Sequence, residues 1–298
     1  MTHSTAPGAL AAHLGQPVTA LLLSDRRGSR AWKVTTESGR RLALKANSTE
    51  AEANGRDKAA EVAHETAVLA ELERLNAIEP GYVQAVGTFA QGRWLALRWI
   101  NGRPLWRAWA LARGPEGDRP SVRPWLLNTA RTLAERLAAM HTHGWTHADV
   151  QPTNILADPE DGTGHLIDYA LACGPEGAAD RPPYRGALTH TTPPEIAAEI
   201  LDTDDTTHIQ ATPSADVWSL GATLTWCWTG QRPFAYPDHI DRMEKLRVIA
   251  AISTSPLKEV RPWPFPALEA LITACLVTDP ASRPTMAEVV GSLSEAAA

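Results

Sequence analysis

The chain has 298 residues, 44% hydrophobic and 21% charged, with a net charge of −6. Those proportions belong to a folded globular protein with room for two lobes, and they exclude a disordered or fibrous chain. The negative balance excludes broad attraction to nucleic acid or to an anionic membrane surface, so neither is expected as a partner.

Residues 1–16 read as a flexible, loosely ordered lead-in. From Pro17 onward, short apolar segments at 19–23, 31–36 and 41–45 are broken by Gly28 and by Ser38-Gly39, and they predict strands. Over 51–75 the spacing turns helical, with Val62, Leu69 and Leu72 on one stripe, and Asn76, Pro80 and Gly81 end it. Two further strands are predicted at 82–89 and 93–100. A small antiparallel sheet with one helix is the natural assembly of residues 17–101. After Asn101-Gly102 the character changes. A Gly-, Pro- and charge-rich loop over 113–124 leads into a strong helix at 125–143, whose stripe is Leu126, Leu133, Leu137 and Met140. Short strands at 155–157 and 165–167 precede a long polar stretch over 173–192, of a length that is usually functional. Beyond Pro194 the chain reads as helices punctuated by prolines. The expected class is therefore α+β and bilobal, a small sheet lobe at 17–101 and a larger, mainly α-helical lobe at 102–298, with a hinge near 99–102.

The three cysteines, Cys173, Cys227 and Cys275, lack metal-ligand or redox-motif spacing and read as thiols of a reducing compartment. No apolar run reaches about 18 residues, and the N-terminus lacks a basic stretch followed by a long apolar one. The expected location is cytoplasmic. Tryptophans at 94, 99, 106 and 109 gather near the hinge, and core packing is their default role.

Chemistry concentrates between His147 and Asp168. Asp149 and Asn154 lie five apart in a segment that Pro152 keeps from being regular helix. Fourteen residues beyond Asn154, the apolar pair Leu166-Ile167 ends in Asp168. Two carboxylates and an amide held on loops suit a hard divalent cation and suit phosphoryl transfer, where positioning and charge neutralisation do most of the work. Either Asp149 or Asn154 alone would be read as a turn cap; the spacing of all three favours chemistry.

The run His147-Ala148-Asp149-Val150-Gln151-Pro152-Thr153-Asn154 resembles the catalytic loop of protein kinases, and Asp168-Tyr169-Ala170 resembles their magnesium-binding Asp-Phe-Gly. By that resemblance Asp149 accepts the substrate hydroxyl proton, and Asn154 and Asp168 hold Mg²⁺ on the phosphates of ATP. His147 reads as a structural support of the loop. Leu42-Ala43-Leu44-Lys45 resembles the kinase Val-Ala-Ile-Lys strand. Leu42 and Leu44 share one face and Ala43 and Lys45 the other, leaving room for a flat base beside a cation. Glu65 shares the inward face of the following helix with Val68, Leu69 and Leu72. A buried carboxylate is costly unless paired, so Lys45 is its expected partner and Glu61 the weaker candidate. Pro193-Pro194-Glu195 resembles Ala-Pro-Glu, Asp216 to Gly221 resembles the start of the central helix, and Arg283 resembles the arginine that pairs with that glutamate. These last features belong to the peptide-substrate platform of the family.

The pattern departs in several places. Between Leu23 and Val34 only Gly28 remains of the glycine-rich loop, among Arg26, Arg27 and Arg30. Ala148 stands where regulated kinases carry the arginine that docks a phosphorylated activation loop, which predicts no need for that switch. Gln151 replaces a lysine that steadies the γ-phosphate, and Ala170 replaces a flexible glycine. An insertion near 202–213 is expected on the substrate side. The chain thus resembles an atypical bacterial, eukaryotic-like Ser/Thr protein kinase. Asp149, Lys45 and Gln151 form the expected catalytic set. Lys45, Glu65, Ala43, Gly28, Trp99, Asn154 and Asp168 form the expected ATP and Mg²⁺ site. The expected substrate is a peptide or protein, and the expected role is a dedicated one, with a partner in a biosynthetic or signalling complex. Two other readings stay open, a pseudokinase that binds or scaffolds and a small-molecule kinase.

Overall fold

The computed structural model describes residues 5–26, 29–48, 58–90, 92–175, 183–252 and 260–297. The chain divides into two compact units, Met1–Ile100 and Asn101–Ala298.

The first unit is built on a five-stranded antiparallel sheet in the order β1-β2-β3-β5-β4. Its strands are β1 (Val18–Arg26), β2 (Ser29–Thr36), β3 (Arg41–Ser48), β4 (Val83–Phe89) and β5 (Gly92–Arg98). Directly opposed residues share a face. Lys45 therefore lies on one face with Ala31, Lys33, Ala43, Leu95 and Leu97. Leu42 and Leu44 point to the other face.

What covers that other face corrects the expected lead-in. Residues Ala6–Leu14 form a helix, α1, so among the described residues the sheet unit has two helices where the sequence suggested one. Thr5 caps it by accepting from the Gly8 N–H at 3.2 Å, and Gly15 closes it at φ +65°, a left-handed conformation that glycine adopts without penalty. Ala6, Ala9 and Leu10 sit at i, i+3 and i+4 and are buried against Val34, Leu42, Leu44, Ala46 and Trp94. The second helix, α2 (Lys58–Arg74), packs on β3 and buries Val62, Val68, Leu69 and Leu72, the stripe expected from the spacing.

The second unit begins with the two-residue strand β6 (Arg103–Pro104) and the short α3 (Leu105–Ala108). In α4 (Val122–His141), Leu126, Leu133, Leu137 and Met140 are fully buried, as their period predicted. Strands β7 (Ile155–Ala157) and β8 (Gly164–Leu166) pair antiparallel beside β6. Then come α5 (Pro194–Asp202), α6 (Pro213–Thr229), α7 (Arg242–Ala250), α8 (Pro266–Cys275) and α9 (Met286–Ala297). Helix α6 is buried nearly all round, the mark of a helix at the centre of a domain. Of the four tryptophans near the expected hinge, Trp94 and Trp109 are core residues as expected, Trp99 is half-buried, and Trp106 is exposed against that expectation; Trp218 and Trp228 are also buried. Among the described residues, no helix is long and apolar enough to cross a membrane.

Candidate active site

In the sheet unit, the pleat of β3 sends Lys45 toward α2, where the Lys45 Nζ donates to Glu65 Oε2 at 2.6 Å. The Glu65 side chain is 1% exposed and that of Lys45 19%, so the lysine retains a path to solvent while its partner does not. Glu61 accepts from Asn47 Nδ2 at 3.4 Å. The ladder confirms the expected faces: Ala43 opposes Lys33 and Leu97, next to Lys45. Trp99 is half-buried, and Lys33 Nζ lies 5.2 Å from its ring centroid, a cation–π contact. Gly28 and Arg27 lie outside the described residues.

In the helical unit, the β7–β8 pair sets the spacing of the remaining groups. Ile155 opposes Leu166, so Asn154 precedes one strand of the ladder and Asp168 follows the other. The Ile167 N–H donates to the Asn154 carbonyl at 2.9 Å and brings the two ends together. Asp168 holds φ +64°, a left-handed backbone that residues with a Cβ rarely adopt and that concentrates at functional sites. Asn154 Nδ2 donates to Asp149 Oδ2 at 2.6 Å and to the Asp149 carbonyl at 3.1 Å. Gln151 Nε2 donates to the other carboxylate oxygen, Oδ1, at 2.6 Å. Burial and the neighbouring Asp168 charge push the Asp149 carboxyl up to about 7, against the pull of the Gln151 and Asn154 amides and the Leu188 N–H. A carboxylate poised there is suited to accept a proton near neutrality.

Asp149 and Asn154 offer hard oxygen ligands and Asp168 a second carboxylate. Among the described residues, no group of three or more His, Cys, Asp or Glu side chains gathers into a metal site. Mg²⁺ ordinarily takes one or two carboxylates and completes its shell with water and phosphate oxygens, so Asn154 and Asp168 fit that ion. The repulsion between Asp149 and Asp168 points the same way, because a bound cation relieves it.

The loop itself hangs on α6. Asp216, 1% exposed, accepts from the His147 N–H at 2.8 Å and the Ala148 N–H at 2.9 Å, and meets His141 Nε2 at 3.0 Å. Thr223 Oγ1 donates to the Val150 carbonyl at 3.1 Å. His147 is fully buried with its ring 5.0 Å from that of Tyr169, and burial lowers its pKa, so it supports the loop as a neutral ring. Arg283 grips Glu195 through two bonds of 2.7 Å and donates also to the Val277, Ser214 and Thr278 carbonyls. Two supports were missed by sequence reasoning. Asp216 was seen only as the start of a motif, and Tyr184, whose hydroxyl donates to the Ala148 carbonyl at 2.9 Å, was lost in a loop with no period to mark it.

An acceptor carboxylate braced by amides, beside oxygen ligands for a hard cation, has the chemistry of phosphoryl transfer. Residues 28–293 match the protein kinase domain, and the chain belongs to that family, whose members are kinase phosphotransferases. It is similar to the probable serine/threonine-protein kinase PkwA of Thermomonospora curvata, at 33% identity over 64% of this chain and 24% of that protein. It also resembles two proteins of Mycobacterium tuberculosis. The serine/threonine-protein kinase PknK is 33% identical over 53% of this chain and 13% of its own length, and PknD is 30% identical over 63% and 26%. The matches thus span about a quarter or less of these relatives.

Proposed function

We propose that the protein is an ATP- and Mg²⁺-dependent kinase that phosphorylates Ser or Thr hydroxyls of a peptide or protein. The observation that carries this reading is the brace on Asp149, held at both carboxylate oxygens by Gln151 and Asn154 with Asp168 alongside. Asp149 takes the proton of the attacking hydroxyl, the hydroxyl oxygen bonds to the terminal phosphorus, and ADP departs. Lys45, oriented by Glu65, supplies positive charge for the nucleotide phosphates. Asn154 and Asp168 hold Mg²⁺, which when bound neutralises phosphate charge. By the family resemblance, Ala43 and Trp99 are assigned to the nucleotide base and Gly28 to its phosphates. The peptide platform resemblance at Glu195, Asp216 and Arg283 favours polypeptide over a small molecule. A cytoplasmic setting and a dedicated partner, in a biosynthetic or signalling complex, fit a catalytic loop without the switch arginine.

One observation favours a second reading, a pseudokinase that binds a partner. The Gln151 amide nitrogen is turned onto Asp149, so the position that carries a lysine in active relatives of the family contributes no charge to a phosphate. Transfer of labelled phosphate from Mg-ATP to generic basic, acidic and neutral Ser/Thr peptides separates the two. The kinase reading expects transfer by the wild type and a loss of about 10²–10⁴-fold in Asp149→Ala, with ATP still raising the melting temperature. No transfer to any peptide and no thermal shift by Mg-ATP would sink it.

A further inference from the structure

Ala148 takes an unusual backbone, φ +61°, at the residue before Asp149. A residue with a Cβ holds that conformation only when its surroundings fix it. On the N–H side the fix is Asp216. On the carbonyl side it is Tyr184, whose buried hydroxyl donates to the Ala148 oxygen at 2.9 Å. That carbonyl belongs to the peptide unit joining Ala148 to Asp149, so a grip on it sets the direction in which Asp149 leaves the loop.

Tyr184 is itself firmly seated. Its N–H donates to His208 Nδ1 at 3.0 Å, and its carbonyl accepts from the Ile209 N–H at 3.0 Å. Arg185 next to it donates to the Ile200 and Thr203 carbonyls at 2.9 Å and also bonds the Thr203 hydroxyl. The Arg185 carbonyl accepts from Arg242 at 2.7 Å. The Tyr184 ring lies among Ala148, Ile196, Ala197, Ile200 and Ile209. The insertion read near 202–213 is therefore a strap, and what it straps down is Tyr184.

We propose that Tyr184 is a positioning residue for the reaction: seated by the 203–209 strap, its hydroxyl fixes the Ala148–Asp149 peptide unit, so the catalytic loop is set by an unmodified tyrosine and needs no phosphate on the segment. This rests on the kinase reading above. It links two departures of the sequence, because the chain that lacks an arginine at Ala148 gains a strap that holds a tyrosine onto the same residue. A phenol buried this deeply keeps its proton and remains a donor, since burial raises its pKa well above the usual value.

The test uses the full-length protein and Tyr184→Phe, which keeps the ring and removes the hydrogen bond, with His208→Ala as a second variant that loosens the strap away from the loop. Amide hydrogen exchange over residues 147–154 should speed up about tenfold in Tyr184→Phe, the factor carried by one buried hydrogen bond, and less in His208→Ala. The kcat should fall by a similar factor with the KM for ATP unchanged, a split that loss of general packing does not produce. Phosphatase-treated wild type should match untreated protein in both measurements. Unchanged loop exchange in both variants overturns the proposal, and so does a wild type whose loop exchange slows and whose activity appears only after phosphorylation. If exchange responds as expected but the wild type transfers no phosphate, the positioning role stands and the kinase reading alone fails.

Discussion

The catalytic loop of the helical unit is tied down from several directions, by Asp216 and Thr223 of α6 and by Tyr184. The sheet unit presents Lys45 through an ion pair to a glutamate on α2 and keeps a single glycine where the family has several. The two units depart from the family pattern in different places. In the helical unit, the departures from the family pattern fall within the loop itself, at the buried Ala148 and at Gln151, which bonds Asp149, while the buried anchors Asp216 and Thr223 are present. In the sheet unit, the departures fall in the loop that would meet phosphate, and α1 packs on the sheet face opposite Lys45. Polar groups that are buried and fully bonded are hard to change one at a time, because removing one partner strands the other. Loop glycines whose amides bond only to a ligand carry no such penalty in the fold.

The largest expected effect tests the anchoring of the helical unit. Arg283 is fully buried and serves Glu195 and three carbonyls. Arg283→Ala removes a cation and leaves those acceptors without it, so a loss of about 3–5 kcal/mol is expected. In thermal unfolding that corresponds to a fall of about 10 °C. Amide exchange over 29–48 should stay unchanged if the sheet unit is stabilised by its own core. A change of under 2 °C would mean that the Arg283–Glu195 pair is not part of what holds this unit.

Lys45→Met tests the sheet unit's share of the chemistry. It removes one cation and leaves the Glu65 carboxylate buried. Phosphate transfer should fall about a hundredfold, the scale of losing one positioned donor, with nucleotide binding weakened less than transfer. Glu65→Gln should do the same more mildly, since an amide can still orient the lysine. Equal transfer by Lys45→Met and wild type would show that Lys45 takes no part in the reaction.

The two units were also unequally legible in the sequence. Lys45 and Glu65 could be paired from pattern alone, because strand alternation and helix spacing each point a side chain to a known side. Asp149, Asn154 and Asp168 were visible for a related reason: a short antiparallel ladder between 155 and 166 returns the chain to where it began. Helix α1 was invisible because its inward stripe is mostly alanine, which marks a helix weakly by hydrophobicity even when it packs. Tyr184 was invisible because its partner is a backbone carbonyl 36 residues away, and no side-chain type records that bond. The role of α1 can be tested by Leu10→Ala. Leu10 is fully buried under the sheet, and its truncation should cost about 2 kcal/mol, the low end for such a change because a nine-residue helix can re-seat. Urea unfolding followed at Trp94, against which this core packs, reads the loss. No loss would return residues 1–16 to a loose lead-in.

The smallest expected effect bears on Gln151 within the brace. Gln151 spends its amide nitrogen on Asp149 Oδ1 and accepts from the Thr153 hydroxyl at 3.0 Å through its own oxygen. Gln151→Lys keeps a donor within reach of Asp149 and adds a cation. The added charge lowers the Asp149 carboxyl from about 7, and it also offers a contact to a transferring phosphoryl group. Transfer should rise by a few-fold, up to about tenfold, in steady-state assays with peptide. A rise would mean that the glutamine at 151 slows a loop whose anchors are intact. An unchanged rate with the same loop protection would mean that the anchors, rather than the residue at 151, set the speed of the helical unit. The remaining limit would then be sought in the sheet unit, at Lys45 and the glycine-poor loop.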